Sequence, residues 1–147
     1  MVTIFFRDTR MAWHRGLPQI ILTRRMQMTR SAVLQKSFGS VKTYWLDKDY
    51  ICQQIRRAVD TLIADPNVVR IVLFGSFASG RAVPGSDVDI LIVLSIDSRR
   101  FIERIHAYID VFSDLGIGVD VFPFTVDELE NPVAKTALAT GKVLFER

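Results

Sequence analysis

The stretch "GSFASGRAVPGSDVDILIV", residues 75–93, is the most informative part of this chain. Its second Gly-Ser pair leads into Asp87 and Asp89 at the start of an apolar run. Residues two apart in a strand share a face, so the two carboxylates project together while Val88 and Ile90 face the opposite side. Carboxylates this close repel each other in a low-dielectric site unless a proton or a cation lies between them. The stretch therefore predicts either a capped turn or a cation site at the start of a buried strand.

A third carboxylate occurs in a similar setting. Asp120 lies within the apolar segment "IGVDVF", where an unpaired charge is costly. Hard oxygen ligands of this kind suit Mg²⁺, which proteins hold through one or two carboxylates together with substrate phosphates. The residues alone leave two alternatives open. Asp87 could be a turn residue after Gly85-Ser86, and Asp120 could form a salt bridge with an arginine such as Arg70 in a neighbouring strand.

The first Gly-Ser pair offers a place for an anion. Gly75 and Ser76 follow "VVRIVLF", residues 68–74, a short β-branched run that is typical of a central strand. A strand that turns into a helix through Gly-Ser leaves backbone N–H groups free to bind a phosphate, and the serine hydroxyl can donate as well. No Gly-Lys-Ser/Thr follows, so this is not a Walker loop. Arg81, just after the turn, either contacts the phosphates or is a solvated side chain.

Helical and strand patterns alternate from about residue 47 onward, which indicates one α/β layer structure. The predicted strands are 68–74, 86–94, 117–124 and 142–146. The predicted helices are one capped by Asp47 or Asp49 and ended by the turn at 65–67, a short one within 75–80, one over 98–114, and one from a Thr125–Glu128 capping box to about Ala139.

Composition excludes several classes of protein. With 147 residues, 49% of them apolar, the chain fits one domain with its own core. No apolar run approaches the ~18 residues that cross a bilayer. The single Cys52 excludes an intrachain disulfide and a Cys-rich zinc site, favours a reducing cytoplasm, and falls on an apolar helical pattern that predicts a small core residue. His14 and His106 have no partner that would suggest a triad or a zinc site.

The formal charge is divided unevenly along the chain. Residues 1–46 hold eight lysines and arginines against Asp8 alone, a net charge of +7, whereas residues 47–147 carry −4. Such a segment suits nucleic-acid binding, a transit peptide, or a poorly ordered extension. It has no clear period and no interleaving of aromatic and basic residues, which disfavours nucleic-acid binding. We therefore expect a basic, poorly ordered extension over 1–46 and a domain over 47–147.

The run of Gly-Ser, an intervening Gly, Ser-Asp-x-Asp and an apolar tail resembles the signature of the polymerase-β nucleotidyltransferase superfamily. The brevity of the chain resembles the minimal nucleotidyltransferase (MNT) group, small prokaryotic proteins often paired with a helical HEPN partner. The resemblance covers roughly residues 47–147. It implies a polymerase-β-like fold, an α/β structure in which a small mixed β-sheet is flanked by helices.

The resemblance also implies a role for each matching position. The nucleotide-binding positions are Gly75, Ser76 and Ser86, and the metal-binding and catalytic positions are Asp87, Asp89 and Asp120. Two Mg²⁺ ions about 4 Å apart can stabilise both the entering and the leaving oxygens of an in-line displacement. Such a reaction depends on positioning and charge neutralisation more than on a covalent nucleophile. Asp120 would also help to deprotonate the attacking hydroxyl group.

The resulting hypothesis is a magnesium-dependent nucleotidyltransferase that transfers AMP from ATP to a hydroxyl group and releases pyrophosphate. Larger relatives usually carry an additional helical or acceptor-binding domain, for which this chain has no room, so a partner protein would supply the acceptor. The resemblance implies that the partner is a HEPN-type toxin modified on a tyrosine, and that this chain is its antitoxin. The alternative is a non-catalytic antitoxin or binding module that inhibits its partner by contact.

Overall fold

The computed structural model describes residues 30–147. The strands are β1 (Val33–Phe38), β2 (Val41–Leu46), β3 (Val68–Phe74), β4 (Val88–Leu94), β5 (Val119–Thr125) and β6 (Lys142–Glu146). The α-helices are α1 (Lys48–Leu62), α2 (Gly75–Ala78), α3 (Phe101–Ile109) and α4 (Pro132–Thr140), and two 3₁₀ helices cover Asp110–Leu115 and Val126–Glu128. None of these helices has the length and apolar character needed to span a membrane.

The larger sheet has four strands in the order β5-β4-β3-β6. Strand β3 is antiparallel to both β4 and β6, whereas β4 and β5 are parallel and are joined through α3. The predicted α/β fold with a mixed sheet and flanking helices is therefore confirmed. Because β3 runs against its neighbours, its carboxyl end lies beside the amino end of β4, and β5 begins at the same edge of the sheet.

Both faces of the central strands are buried, and each face has its own apolar cluster. On one face, Ile90 and Ile92 pack with the apolar side of α1. On the other face, Leu91 and Val93 pack with the alanines of α4. Asp89 shares the second face because side chains alternate along a strand. The carboxylate therefore lies at the edge of the α4 face, and the predicted orientation of Ile90 and Ile92 away from it is confirmed.

Helix α1 begins where the sequence predicts. The side chain of Asp47 accepts a hydrogen bond from the backbone N–H of Tyr50 at 3.1 Å and so caps the helix. The apolar residues at helical spacing face the sheet, beginning with Ile51, which is fully buried. The prediction that Cys52 is a core residue is wrong, since its side chain is exposed. It lies one position past Ile51, about 100° further around the helix and off the buried stripe.

The helix predicted over 98–114 is shorter and has two parts. The α-helix starts at Phe101 and ends at Ile109, and the chain continues as a 3₁₀ helix to Leu115. Gly116 ends this segment in the left-handed region at φ +72°, the usual conformation for a glycine that terminates a helix. The prediction identified the segment as helical and overestimated the length of its α-helical part.

The predicted capping box is present, but it does not start α4. Thr125 and Glu128 satisfy each other's backbone N–H groups around the short 3₁₀ helix that follows β5. Helix α4 begins only at Pro132, after Asn131 caps it by accepting from the N–H of Val133 at 2.9 Å. Proline disfavours the helical conformation of the residue before it, and proline itself suits the first position of a helix. Pro132 therefore sets the start of the helix.

Strands β1 and β2 form an antiparallel hairpin that is separate from the four-stranded sheet. Ala32, fully buried, donates its N–H to Gly116 O at 3.0 Å and accepts from the N–H of Asp47 at 2.8 Å, which fixes the hairpin to the domain. The sequence interpretation assigned residues 1–46 to a poorly ordered extension, and for 33–46 the structure differs. The hairpin pairs only with itself and leaves Phe38, Val41, Tyr44 and Trp45 exposed, so no alternating burial pattern marks it. His14 and the rest of residues 1–29 lie outside the described residues.

Candidate active site

The ends of three neighbouring strands bring the predicted site residues together. Phe74, the last residue of β3, pairs with Asp89 of β4, and Asp89 pairs in turn with Asp120 of β5. Neighbouring strands lie about 4.8 Å apart, and paired residues share a face of the sheet. Asp89 is therefore flanked by the Gly75 turn on one side and by Asp120 on the other.

Gly75 holds the carboxylate of Asp89 against the turn that follows β3. The glycine has φ +70°, and a Cβ atom placed on it would lie only 2.0 Å from Oδ2 of Asp89. Any side chain at residue 75 would therefore displace the carboxylate as well as strain the backbone. The space that a side chain would need at residue 75 is therefore occupied by Asp89.

A second glycine holds the other carboxylate of the acid pair. A Cβ atom on Gly118 would lie 1.9 Å from Oδ1 of Asp87. The two segments are joined by a backbone hydrogen bond of 3.0 Å from the N–H of Val88 to the carbonyl oxygen of Gly118. Sequence reasoning did not assign Gly118, although it stands two residues before Asp120 at the start of a strand.

The alternatives for Asp87 and Asp120 can be compared with the observed contacts. The turn before β4 is closed by Ser86, whose hydroxyl accepts from the N–H of Val83 at 3.0 Å and whose own N–H donates to Val83 O at 2.9 Å. Arg70 forms its ion pair with Glu146 of β6. Among the ion pairs within residues 30–147, none involves Asp87, Asp89 or Asp120.

Electrostatic repulsion is concentrated on Asp89. Its side chain is half-buried, whereas Asp87 and Asp120 are exposed. The pKa of Asp89 is raised above its ordinary value of 3.8, first by burial and then by the negative charges of Asp120 and Asp87. Asp89 is thus the carboxylate that gains most from a nearby positive charge.

The carboxylate oxygens of the site are chemically suited to bind a hard divalent cation. The site offers only carboxylate oxygens, and glycines hold two of these side chains where a Cβ atom would fill the space. The side chains are not already gathered around one point, since no group of three or more His, Cys, Asp or Glu residues in the described part of the chain is arranged as a metal site. Rotation of the exposed carboxylates toward Asp89 would be part of binding a cation.

The turn after β3 has few internal contacts on its N-terminal side. Ser76 is half-buried and directly follows Gly75, and the first N–H groups of a helix have no acceptor within it. The hydroxyl of Ser79 instead donates to the carbonyl oxygens of Gly75 and Ser76 at 3.0 and 3.1 Å. Arg81 is exposed and donates through Nε to Ser79 Oγ at 3.0 Å. The guanidinium group is therefore attached to the turn while its remaining N–H groups face outward.

Aromatic residues beyond Asp120 form a groove that sequence reasoning missed. The groove has a volume of about 630 Å³, and its apolar lining comes from Phe101, Phe122, Phe124 and Val133. The rings of Phe101 and Phe124 are stacked at 5.0 Å between centroids. One signal was present in the sequence, because the alternation Asp120-x-Phe-x-Phe places both phenylalanines on the face of the carboxylate.

An ion pair whose arginine is buried supports the same region. Arg104 is only 3% exposed and makes two hydrogen bonds to the carboxylate of Glu128, at 2.6 and 2.7 Å. Glu128 also accepts from the N–H of Thr125 at 2.9 Å. These contacts lower the pKa of Glu128 to about 2, chiefly through the hydrogen bonds from Arg104. The pair fixes α3 to the segment that follows β5.

Solved structures are similar to this chain at low sequence identity. A protein of Sulfolobus solfataricus assigned as a nucleotidyltransferase has 21% identity and a TM-score of 0.50, over 68% of this chain and 84% of the other. A toxin–antitoxin complex solved with AMP-PNP contains a chain with 24% identity and a TM-score of 0.47, over 69% of this chain and 75% of the other. The first likeness shows the fold, and the second is too low to support an argument.

A curated relative is also similar to part of the chain. A protein of Methanocaldococcus jannaschii assigned as a protein adenylyltransferase is 29% identical over 89 residues. The aligned part is 55% of this chain and 60% of the relative. The chain therefore spans less than two thirds of the curated relative that it matches.

The family comparison covers the site itself. Residues 52–143, more than half of the chain, match the family described as nucleotidyltransferase domain. The matched segment includes the Gly75–Ser76 turn and the three aspartates. The resemblance drawn from residues 75–93 is thereby confirmed, and the chain belongs to the nucleotidyltransferase domain family.

Proposed function

We propose that this protein is a magnesium-dependent nucleotidyltransferase of the cytoplasm that transfers AMP from ATP to a hydroxyl group of a partner protein. We further propose that the partner is a HEPN-type toxin and that the chain is its antitoxin. The observation that supports the catalytic part is the position of Asp89. It is half-buried, its pKa is raised first by burial and then by two neighbouring carboxylates, and it lies against Gly75 at the end of β3.

The triphosphate would lie on the β3 side of the site. Free N–H groups at Gly75 and Ser76 and the hydroxyl of Ser76 provide donors for phosphate oxygens. Arg81 supplies a positive charge at this turn, since its side chain donates a hydrogen bond to Ser79 Oγ. Ser86 closes the turn before β4 with its oxygen and keeps its hydroxyl hydrogen available as a donor.

Asp87, Asp89 and Asp120 would hold two Mg²⁺ ions, which neutralise phosphate charge and stabilise the entering and leaving oxygens of the displacement. Without positive charge the three carboxylates repel the triphosphate as well as each other. The absence of side chains at Gly75 and Gly118 leaves the space in which the carboxylates of Asp89 and Asp87 lie. The protein thus contributes position and preorganised charge, which is what phosphoryl-type transfer requires.

The proposed reaction balances without an external oxidant or reductant. The acceptor oxygen forms a bond to the α-phosphorus of ATP, and the bond from that phosphorus to the bridging oxygen of the β-phosphate breaks. The bond electrons leave with pyrophosphate. The hydroxyl proton passes to a carboxylate at the β5 side of the site, where Asp120 is exposed and adjacent to Asp89.

Support for a protein acceptor comes from two sources. The Methanocaldococcus jannaschii relative is assigned as a protein adenylyltransferase, which agrees with AMP transfer to protein. The MNT-type resemblance of the motif implies pairing with a HEPN toxin. The proposed compartment has separate support, since the single cysteine favours a reducing environment.

The test combines the purified protein with α-labelled ATP, Mg²⁺ and the product of the adjacent gene. We expect label on the partner with wild type and with Asp60→Asn, a control at an exposed acid on α1. Asp87→Asn and Asp89→Asn should lower the transfer at least about 100-fold, because several kcal/mol of charge stabilisation depends on them. Neutralisation of the partner by these variants without label would contradict catalysis and identify a binding module.

A further inference from the structure

The aromatic side chains that the fold leaves exposed all belong to the β1–β2 hairpin. Within residues 30–147 the exposed aromatic residues are Phe38, Tyr44 and Trp45, at 59%, 49% and 41%. Phe38 ends β1, and the other two lie on β2. The remaining aromatic residues of the described part of the chain are buried or half-buried. The hairpin is therefore where the protein offers flat apolar rings to a ligand.

Strand pairing places a lysine between two of these rings. One face of the hairpin holds three cross-strand pairs, Leu34–Trp45, Lys36–Thr43 and Phe38–Val41. Trp45 and Phe38 lie about 13 Å apart along the hairpin, with Lys36 about midway between them. Nζ of Lys36 lies 4.9 Å from the centroid of the Phe38 ring. The sequence interpretation found no interleaving of aromatic and basic residues because this order arises between two strands.

The hairpin also lies in the basic part of the chain. Residues 31–46 contain two lysines, Lys36 and Lys42, and no aspartate or glutamate. Residues 1–29 contain five arginines against Asp8, a net charge of +4 in the sequence that leads into the hairpin, whereas residues 47–147 carry −4. The exposed rings thus occur together with positive charge, which favours an anionic ligand.

The order of ring, cation and ring distinguishes between classes of anionic ligand. In single-stranded nucleic acid flat bases alternate with phosphates, and proteins bind it by stacking bases on aromatic side chains beside a positively charged path for the backbone. An element that lies in a membrane surface instead needs a continuous apolar face, and the Lys36–Thr43 pair interrupts the face of the hairpin. The core of a protein interface is likewise depleted of lysine.

We propose that the face of the hairpin with Trp45, Lys36 and Phe38 binds single-stranded nucleic acid. One base stacks on Trp45 and another on Phe38, while Lys36 contacts the phosphate backbone that joins them. The ammonium group of Lys36 moves from the Phe38 ring to a phosphate as the strand binds. Binding at this surface needs neither ATP nor Mg²⁺, so it goes beyond the proposed function and does not depend on it.

The test is the fluorescence anisotropy of a labelled oligouridylate or oligothymidylate of about 12 nucleotides, long enough for one stacking surface, titrated with the full chain without ATP or metal. We expect binding that weakens between about 50 and 200 mM salt. Trp45→Ala and Phe38→Ala should each weaken it at least about fivefold, because one stacked base is lost. Ile102→Ala, a change at a 52% exposed side chain on α3, should leave it unchanged. The two oligonucleotides distinguish RNA from DNA as the preferred strand.

Lys36 allows a separate measurement of the phosphate contact. Lys36→Ala should lower the slope of log K against log salt by about 0.7, the contribution of one phosphate contact on a single strand. Lys36→Arg keeps the charge and should keep the slope. Lys135→Ala, at an exposed lysine of α4, should leave both affinity and slope at their wild-type values.

The rings decide whether the hairpin or another basic segment holds the strand. No binding at the lowest salt, equal affinity for a duplex of the same length, or unchanged affinity in both Trp45→Ala and Phe38→Ala would overturn the proposal. Binding to phosphatidylserine vesicles but not to oligonucleotide, lost in Phe38→Ala, would overturn it in favour of a membrane surface. Self-association in sedimentation without oligonucleotide binding, lost in the same variant, would overturn it in favour of a contact between copies.

Discussion

Gly75 and Asp89 are packed so that a Cβ atom on residue 75 would lie 2.0 Å from Oδ2 of the carboxylate. Two constraints therefore act on one residue. The backbone needs φ +70°, which side chains disfavour, and the space beside it belongs to Asp89. The turn at the end of β3 and the acid on β4 form one unit, and a change at residue 75 tests both.

Replacement of this glycine should abolish transfer. Gly75→Ala carries the cost of the left-handed backbone, about 1–2 kcal/mol, and also forces Asp89 out of its position. Gly39→Ala, at φ +60° with open space around it, carries only the backbone cost. We expect transfer to fall at least about 100-fold in Gly75→Ala and to stay near wild type in Gly39→Ala. Rates of label transfer and urea unfolding measure the two effects, and full activity of Gly75→Ala would contradict a fixed position of Asp89.

Gly118 should separate function from stability. It does not have the left-handed backbone of Gly75, and the Cβ atom of Gly118→Ala would contact only the end of the exposed Asp87 side chain. Asp87 can rotate into solvent, and the unfolded chain loses entropy, so the free energy of unfolding should stay constant or rise by about 0.4–1 kcal/mol. Transfer should nevertheless fall, because the added Cβ atom takes the space in which the Asp87 carboxylate lies beside β5. A variant with wild-type transfer rates would show that contact with Gly118 does not position Asp87.

The sequence predicted those features that depend on local pattern. Strand β3 was predicted at its observed bounds because a short β-branched run between turn residues has few other structures available. The orientation of Ile90 and Ile92 away from Asp89 could be predicted because the two-residue period of a strand fixes which side chains share a face. The pairing of Asp89 with Asp120 followed from the family resemblance and could not be read from spacing alone.

The features that were missed depend on contacts between distant segments. Arg104 and Glu128 stand 24 residues apart, and neither has a sequence pattern that identifies its partner. The groove requires Phe101 from α3 and Val133 from α4 to meet on one side of β5. The hairpin before α1 lacks a buried apolar face, so its residues resemble a loop in sequence even though they pair.

The charged carboxylate of Asp89 should lower the free energy of unfolding at neutral pH. Its pKa is raised in the folded state by burial, Asp120 and Asp87, so its charged form is disfavoured on folding. This cost applies at neutral pH and disappears as the pH falls through the raised pKa toward 3.8. Asp89→Asn should therefore unfold at higher urea concentration than wild type at pH 7, while it loses transfer.

The repulsion between the carboxylates also predicts a change in the pKa of Asp89 that NMR can measure. In Asp120→Asn the pKa of Asp89, measured from its carboxyl ¹³C signal without metal, should fall because one of the two repelling charges is gone. Asp60→Asn, on the exposed side of α1, should leave it unchanged. An unchanged pKa of Asp89 in Asp120→Asn would show that the charge of Asp120 does not contribute to the raised pKa.

The ion pair between Arg104 and Glu128 should contribute to the acid sensitivity of the fold. Glu128 has a pKa of about 2 in the folded state against an ordinary value of 4.5, so its contribution is complete above about pH 4.5 and is lost as the pH falls toward 2. Glu128→Gln leaves the buried Arg104 without its charged partner and should cost about 1–3 kcal/mol at pH 7. Its stability should also fall less than that of wild type between pH 4.5 and 3.

Glu130→Gln, which breaks the exposed pair with Lys135, should cost less than about 1 kcal/mol. Combining Glu128→Gln with Arg104→Met should restore part of the loss, because an apolar replacement of a buried pair avoids the unpaired charge. Urea unfolding at pH 7 and pH 3 measures all four proteins, and equal losses for Glu128→Gln and Glu130→Gln would contradict a structural role for the buried pair.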